Sequence, residues 1–166
     1  MTTAYHTLAA SSANDTALLL DDFLHERYAA FVWTPGECAK GEAVQRTMGD
    51  IVAVNRVGVT VGLEVKADYT DHDNLFLETW SNRARFTSGW LVTLQSDALL
   101  YVFVKRRECY AIPFQPLKRW AFHEGRIYAF PEREQKQSVQ LNDTWGRCVP
   151  VATILAEVRG VELVEL

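Results

Sequence analysis

The sequence contains no long hydrophobic run, since none of its apolar stretches reaches the roughly 18 residues that a membrane-spanning helix needs. Its first residues lack the basic start and the apolar core of a signal peptide. Cysteine is scarce: Cys38, Cys109 and Cys148 lie far apart and never form a Cys-x-x-Cys pair. We therefore expect no membrane partner, reduced thiols in a cytoplasmic protein, and neither a disulfide framework nor a zinc site.

Phosphate-binding and nucleophile motifs are also missing. The chain has no Gly-x-x-x-x-Gly-Lys-Ser loop, no Gly-x-Gly-x-x-Gly loop and no Ser-His-Asp order. These absences argue against NTPase, dehydrogenase and serine hydrolase chemistry. The formal net charge of −4 gives no general sign of a nucleic-acid partner either.

Basic residues nevertheless cluster in three patches downstream of residue 80, and we predict that they contact nucleic acid. The patches are Arg83 and Arg85, then Lys105, Arg106 and Arg107, then Lys118 and Arg119. A solvated surface with no partner explains any single patch equally well.

The composition is that of an ordinary globular protein, with 48% hydrophobic and 23% charged residues in a chain of 166. A chain of this length buries a sizeable core without disulfide or metal staples, and no repeat or linker divides it. We expect a single domain over residues 1–166, in which the small and polar residues 1–14 form a loose N-terminal segment.

The most informative stretch runs from Asp50 to Lys66. Residues 51–54 and 57–65 are dominated by Val, Ile and Leu, and the Asn-Arg pair and the glycine near their junction supply a turn. This pattern predicts two adjacent strands of a hairpin. Glu64 and Lys66 are two apart, so their side chains share one face of the sheet, which Asp50 at the mouth of the first strand can reach.

Two carboxylates and one ammonium on one face are costly unless a cation sits between the acids, and a divalent metal is the usual solution. The alternative is a solvent-facing ion pair between Glu64 and Lys66 at a strand end. Because acidic-x-basic triplets also arise by chance, the residues alone leave both interpretations open.

Periodicity predicts an alternation of helices and strands along the chain. A helix capped by Asn14 or Asp15 runs to about Val32, and residues 75–80 alternate like a third strand after the hairpin. Further predicted elements are a short helix over 89–95, strands over 98–104 and 109–113, a proline-started helix over 117–123, a strand over 126–130, a mobile or ribbon-like segment over 132–140 and a helix over 151–158. We expect an α/β fold with a central mixed sheet flanked by helices.

Asp50, Glu64 and Lys66 in this order resemble the Asp…(Asp/Glu)-x-Lys motif of the restriction-endonuclease-like nuclease superfamily. The resemblance covers about two thirds of the chain as a pattern of elements, and it implies the αβββαβ core of that superfamily. It further implies a DNA nuclease that requires Mg²⁺, for which Mn²⁺ substitutes. Asp50, Glu64 and the carbonyl of Val65 would bind the metal, and Lys66 would orient or deprotonate the attacking water.

Two further acids extend the implied site. Resolvase-like members of the superfamily use a Glu of the first helix, which implies Glu26 as a catalytic residue; an exposed helix acid is the alternative. Glu78 lies in an apolar strand within residues 74–81, a segment similar to phage-type members. A buried Glu needs a metal or a hydrogen-bond donor, and a salt bridge from Glu78 to Arg83 or Lys66 is its alternative.

We expect an endonuclease rather than an exonuclease, acting on DNA without sequence specificity. Trp80, Trp90 and Trp120 offer rings on which unpaired bases could stack, although aromatic residues in so apolar a chain are more often core. A structure-selective nuclease is therefore a secondary hypothesis.

Two other classes of protein stay open. One is a non-catalytic nucleic-acid-binding or assembly protein on the same fold, which a solvent-exposed Lys66 paired with Asp68 would favour. The other is an unrelated α/β domain that binds a protein or a small molecule. The apolar C-terminus from Val158 to Leu166 either pairs across a homodimer or covers its own sheet.

Overall fold

The computed structural model describes residues 4–34, 44–45, 47–135 and 142–166. The helices are α1 (Ala4–Arg27), α2 (Trp90–Thr93), α3 (Phe114–Lys118) and α4 (Val151–Glu157), and α3 continues into a π-helical turn (Arg119–His123) and then a 3-10 turn (Arg126–Ala129). The strands are β1 (Tyr28–Trp33), β2 (Ile51–Asn55), β3 (Thr60–Asp68), β4 (Asn74–Asn82), β5 (Thr87–Ser88), β6 (Ala98–Phe103), β7 (Glu108–Pro113), β8 (Glu132–Glu134), β9 (Trp145–Pro150) and β10 (Glu162–Glu165).

Within these residues the strands form two sheets. A six-stranded sheet has the order β1-β2-β3-β6-β7-β10, in which β3 and β6 run parallel and all other neighbours run antiparallel. A four-stranded antiparallel sheet has the order β5-β4-β9-β8. The expected α/β class with a mixed sheet is thus confirmed.

Apolar side chains cover both faces of the six-stranded sheet. On one face α1 packs Leu20, Phe23 and Leu24 against β2, β3 and β6, because these residues recur at helical spacing. On the other face β6 and β7 meet the four-stranded sheet and the helices α2 to α4. The middle of β3 is therefore covered from both sides, and a charged side chain there loses most of its water.

Several predicted elements are confirmed, with boundaries shifted by a few residues. The β2–β3 hairpin, the β6–β7 hairpin, the short helix α2 and the helix α4 after Pro150 all lie where periodicity placed them. In the described part of the chain no helix combines the length and the apolar character that crossing a membrane requires. The cysteines Cys109 and Cys148 are free thiols, and Cys38 lies outside the described residues.

The first helix was predicted incorrectly at both ends. Its backbone is already helical from Ala4, within the segment that we expected to be loose, and it ends at Arg27 rather than near Val32. Residues Tyr28–Trp33 are instead an edge strand that pairs with β2, with Phe31 opposite Ala53. Aromatic and β-branched residues favour strands. Hydrogen bonding to the free edge of β2 therefore outweighs the helical spacing of apolar residues on which the longer helix was predicted.

Two other predictions are wrong. Residues 75–80, predicted as a third strand after the hairpin, lie in β4, which belongs to the four-stranded sheet. The edge of β3 is already occupied by β6 in parallel register. Residues 126–130 form a 3-10 turn after Gly125 and not a strand. Part of the predicted ribbon over 132–140 is the short strand β8, and residues 136–140 lie outside the described part.

The C-terminal segment covers its own sheet. β10 pairs antiparallel with β7, with Leu163 opposite Tyr110, and Val164 and Leu166 pack against the core beside α1. Of the two alternatives for the apolar tail, the structure therefore shows the one in which it covers its own sheet, and a homodimer gains no support from it.

Candidate active site

Asp50 lies directly across from Glu64, at a place where one edge of β3 is free. Since Ile51 opposes Leu63 and β2 begins at Ile51, the part of β3 beyond Leu63 has no strand on this side. The carboxylate of Asp50 fills that place: Oδ2 accepts the backbone N–H of Val65 at 2.9 Å. The N–H and C=O of one strand residue point to the same edge, so the carbonyl of Val65 also faces Asp50.

Close backbone packing holds this end of β2 against β3. Gly49 adopts a φ of +86°, and a Cβ there would lie 2.7 Å from the carbonyl carbon of Leu63. Gly62 packs against the backbone of Met48, from which an added Cβ would lie only 2.8 Å. Gln45 completes the arrangement by donating from Nε2 to Oδ1 of Asp50 at 2.5 Å.

Glu64 and Lys66 point to the same face of β3, as predicted, and they contact each other. Lys66 Nζ lies 2.5 Å from Oε1 of Glu64. Glu64 is only 6% exposed, and this burial raises the pKa of its carboxyl group. The negative charges of Asp50 and Glu78 raise that pKa further, whereas the ammonium of Lys66 opposes the rise.

Glu78 joins this group from the other sheet. Its Oε1 accepts the backbone N–H of Trp90, the first residue of α2, at 3.2 Å. Burial raises the pKa of Glu78, and the Trp90 N–H and the charge of Lys66 lower it. Lys66 Nζ also lies 5.8 Å from the centre of the Trp90 ring. Glu78 thus accepts a hydrogen bond from a backbone donor. Of the two cations that were its alternative partners, Arg83 pairs with Glu132 instead, whereas Lys66 lies near enough for its charge to lower the pKa of Glu78.

A cleft of about 1130 Å³ opens beside these side chains, between the C-terminal half of β3 and the second sheet. Tyr101, which lines the cleft, links β3 to β4: its hydroxyl donates to Asp68 (3.1 Å) and accepts the N–H of Phe76 (3.0 Å). The lining of the cleft includes Lys66, Glu78, Trp90, Arg133 and Trp145. A large ligand in this cleft can therefore reach Lys66 and Glu78, whereas Asp50 and Val65 line a separate, smaller pocket.

The structure does not bring Glu26 to this site. Its side chain is exposed, and its backbone carbonyl accepts two hydrogen bonds from the guanidinium of Arg56, in the turn between β2 and β3. That turn is at the opposite end of β2 from Asp50. The helix residue on the Asp50 side is the buried Thr16, which shares a smaller pocket of about 460 Å³ with Asp50 and Val65.

The predicted nucleic-acid contacts lie at three separate places, and two of these residues have structural roles. Lys118 donates to the carbonyl oxygens of Val92 (3.0 Å) and Leu94 (2.6 Å) at the end of α2, and burial lowers its pKa. Arg106 is held by Asp73 and, at 2.8 Å, by Glu108. A phosphate would have to compete with these partners.

The remaining basic residues are more accessible. Lys105 pairs with Asp71 at 3.1 Å on the surface, and Arg107 donates to the carbonyl of Leu166 at 2.8 Å. Arg83, Arg85 and Arg119 are exposed, and Arg83 makes its ion pair with Glu132 at 3.4 Å. Nucleic-acid binding by these side chains stays a prediction.

The oxygen atoms near the free edge of β3 suit a magnesium ion. Among the described residues no group of three or more His, Cys, Asp or Glu side chains forms a metal centre. Mg²⁺, however, is commonly bound by only one or two carboxylates and keeps several waters. Asp50, Glu64 and the Val65 carbonyl provide two carboxylates and one neutral oxygen, and a carboxylate oxygen that accepts one hydrogen bond, as both oxygens of Asp50 and Oε1 of Glu64 do, keeps a second lone pair.

Sequence reasoning missed several residues around the site. Thr16 continues the buried helical spacing of Leu20 and Leu24, and that spacing was a usable signal. Trp145 lies on β9, whose strand pattern was not recognised, and Gln45 carries no signal in the sequence. Of the predicted stacking residues, Trp120 is core: it is 2% exposed and its indole donates to Glu157 at 2.8 Å.

Comparison with known proteins adds no family to this geometry. A search with the whole sequence matched no protein-family model, no curated protein and no solved structure.

Proposed function

We propose that the protein is a metal-dependent DNA nuclease that hydrolyses phosphodiester bonds, as an endonuclease. The observation that carries the proposal is the buried Glu64, which pairs with the ammonium of Lys66 and lies near enough to Asp50 for the charge of that carboxylate to raise its pKa. Burying an acid beside a second acid lowers the stability of the fold, and groups kept at such a cost cluster at functional sites. A strand-end ion pair, the simpler explanation, would leave Glu64 exposed to solvent.

The order of elements supports the same proposal. We infer that α1, β1, β2, β3, α2 and β6 form the αβββαβ core of the restriction-endonuclease-like superfamily, with β4 and β5 of the second sheet inserted between β3 and α2. β1 to β3 are consecutive antiparallel neighbours, and β6 returns parallel to β3. Asp50 stands at the start of the second strand of this unit and the Glu-x-Lys triplet lies on its third strand, in agreement with the motif that Asp50, Glu64 and Lys66 resemble.

Asp50, Glu64 and the Val65 carbonyl would hold the metal, with Glu78 near enough to influence the pKa of Glu64. A bound Mg²⁺ supplies a water of lowered pKa and positive charge beside the scissile phosphate. Lys66 is placed to orient that water and to stabilise the negative charge that develops on the phosphoryl oxygens. The Lys66 side chain is 33% exposed, so solvent screens its charge only in part.

The alternative of a non-catalytic nucleic-acid-binding protein is less well supported. It would be favoured by an exposed Lys66 paired with Asp68. Instead, Lys66 pairs with Glu64, and Asp68 accepts the hydroxyl of Tyr101. Magnesium dependence, the choice of DNA over RNA and the mode of cutting are all parts of the proposal.

The test is a titration of Mn²⁺ by calorimetry together with cutting of supercoiled, linear and branched DNA in Mg²⁺. Asp50→Ala should lose both metal binding and cutting, whereas Lys66→Ala should bind the metal and fail to cut. Asp22→Ala, which removes an exposed acid of α1, is the matched control and should behave like the wild type. Cutting that survives in Asp50→Ala, or an equal loss of metal affinity in the Asp50 and Lys66 variants, would contradict the proposal.

A further inference from the structure

An aromatic strip lies on one face of the four-stranded sheet, made of Trp80, Phe86 and Trp145. Trp80 and Trp145 are directly opposed on β4 and β9, so their side chains share a face. The ring of Phe86 meets the ring of Trp80 edge to face, with 6.5 Å between centroids. Phe86 is 82% exposed and stands beside the half-buried rings of Trp80 and Trp145, so the three form a contiguous aromatic patch, the kind of exposed apolar surface that marks a binding site.

Arginines accompany the aromatic strip. The guanidinium of Arg83 stacks over the Trp145 ring at 4.4 Å, and Arg85 is exposed in the same turn between β4 and β5. Arg83 also makes its ion pair with Glu132 at 3.4 Å, which a phosphate would have to displace, so the surface offers rings for stacking beside two exposed arginines of which one is already paired.

The turn that carries Phe86 is held firmly in place. Its backbone N–H groups are bonded at Ala84 to Asp143 Oδ2 (2.9 Å) and at Arg85 to Asn82 Oδ1 (3.0 Å). Phe86 itself adopts a φ of +54°, in the left-handed region that non-glycine residues rarely occupy. A fixed and strained turn that keeps a phenyl ring in solvent is consistent with recognition of a ligand.

The aromatic strip leads into the cleft of the candidate active site. Trp145 lines that cleft together with Trp90, Glu78 and Lys66. A chain that lies along the strip therefore arrives at the charged residues proposed to cut it.

We propose that the aromatic strip binds an unpaired nucleic-acid strand and that the substrate of the cleft is single-stranded. This inference rests on the proposed nuclease function. Bases of a duplex stack on one another and hide their faces, so flat rings on a protein surface select unpaired bases. Arg83 and Arg85 supply the charge that the phosphates of such a strand require.

The test measures binding of a fluorescein-labelled oligothymidylate, and of a duplex of equal length, by anisotropy in EDTA so that no cutting occurs. Phe86→Ala should weaken single-strand binding by about 5- to 100-fold, and Phe86→Trp should restore it. Duplex binding should change little. Val57→Ala is the matched control, because Val57 is 83% exposed but lies in the β2–β3 turn away from the cleft.

Phe86→Leu separates base stacking from other apolar contacts. Leucine keeps an apolar side chain without a ring face, so single-strand binding should fall in this variant as it does in Phe86→Ala. Full binding by Phe86→Leu, or an equal loss in Val57→Ala, would overturn the inference, because the former would show that the strand binds without stacking on the ring of Phe86.

Failure of the inference and failure of the proposed function can be told apart. If the wild type cuts DNA in a Glu64-dependent manner while Phe86→Ala binds single strands normally, the strip is not the binding surface and the nuclease assignment stands. If Phe86→Ala loses single-strand binding but the wild type never cuts with Mg²⁺ or Mn²⁺, the surface assignment stands and the nuclease assignment falls.

Discussion

The two sheets each supply one glutamate near the cleft, Glu64 buried and Glu78 half-buried, and the two charges are compensated differently. Glu64 on β3 pairs with the ammonium of Lys66, two residues along its own strand. Glu78 on β4 accepts a backbone N–H from Trp90. A side-chain cation can turn toward a phosphate or a water, whereas a backbone donor stays where the helix puts it. Under the proposed function, the pairing of Glu64 with a movable cation suits chemistry, whereas the bond from the backbone holds Glu78 in place.

The largest difference between the two glutamates should appear in cutting. Lys66→Met removes the cation beside Glu64 and should lower the cutting rate by about 10²- to 10⁴-fold. Glu78→Gln keeps an oxygen for the Trp90 N–H and should lower it by only about 10- to 100-fold. Single-turnover rates on one DNA substrate measure both. Equal losses in the two variants would remove the distinction between the two carboxylates.

The approach of Asp50 to Glu64 depends on Gly49, and stability measurements can test this. Gly49→Ala should lower the free energy of unfolding by about 3 kcal/mol or more, because it adds a backbone clash to the strain of a positive φ.

Gly58→Ala is the matched control for Gly49→Ala. Its φ of +85° is nearly the same as that of Gly49, but nothing lies within 4 Å of an added Cβ. It should therefore cost only about 1–2 kcal/mol. Urea titrations of both variants check this, and similar losses in the two would show that close packing at Gly49 is unimportant.

The raised pKa of both glutamates predicts a pH dependence of stability. Each folded-state pKa lies above the ordinary value of 4.5, so between the two values the folded protein binds more protons than the unfolded chain. Stability should therefore fall as the pH rises through this window. Thermal unfolding of the wild type and of Glu64→Gln from pH 4 to 8 measures it, and the variant should lose less stability over the range. A parallel pH dependence would contradict the burial of Glu64.

The smallest effect should come from Glu26. Its exposed side chain lies at the β2–β3 turn, far along β2 from Asp50, so Glu26→Gln should leave both the cutting rate and Mn²⁺ affinity within about twofold of the wild type. A large loss of metal affinity would show that α1 contributes to the site after all.

Local patterns in the sequence were sufficient for the hairpin and for the shared face of Glu64 and Lys66. Alternation has a fixed period of two in a strand, so the contact between those two side chains follows once the strand is recognised. The same kind of reasoning failed for Glu26 and for residues 28–33. Which acid of a helix faces a sheet, and whether an apolar segment extends a helix or pairs at an edge, depends on partners that are distant in sequence.

The sequence by itself determined the mixed α/β character and the β2–β3 hairpin, and it singled out Asp50, Glu64 and Lys66 as candidate site residues. It could do so because spacing and residue type act over short distances. Only the tertiary structure decided that Glu78 and Trp90 meet Lys66, that β4 leaves the first sheet, and that Trp80, Phe86 and Trp145 form one surface. The position of β4 and the pairing of Trp80 with Trp145 depend on the pairing of β4 with β9 inside the four-stranded sheet, two strands that lie about 70 residues apart in the chain. No local pattern specifies a partner at that separation, since the choice among strand edges is made by burial of the whole core.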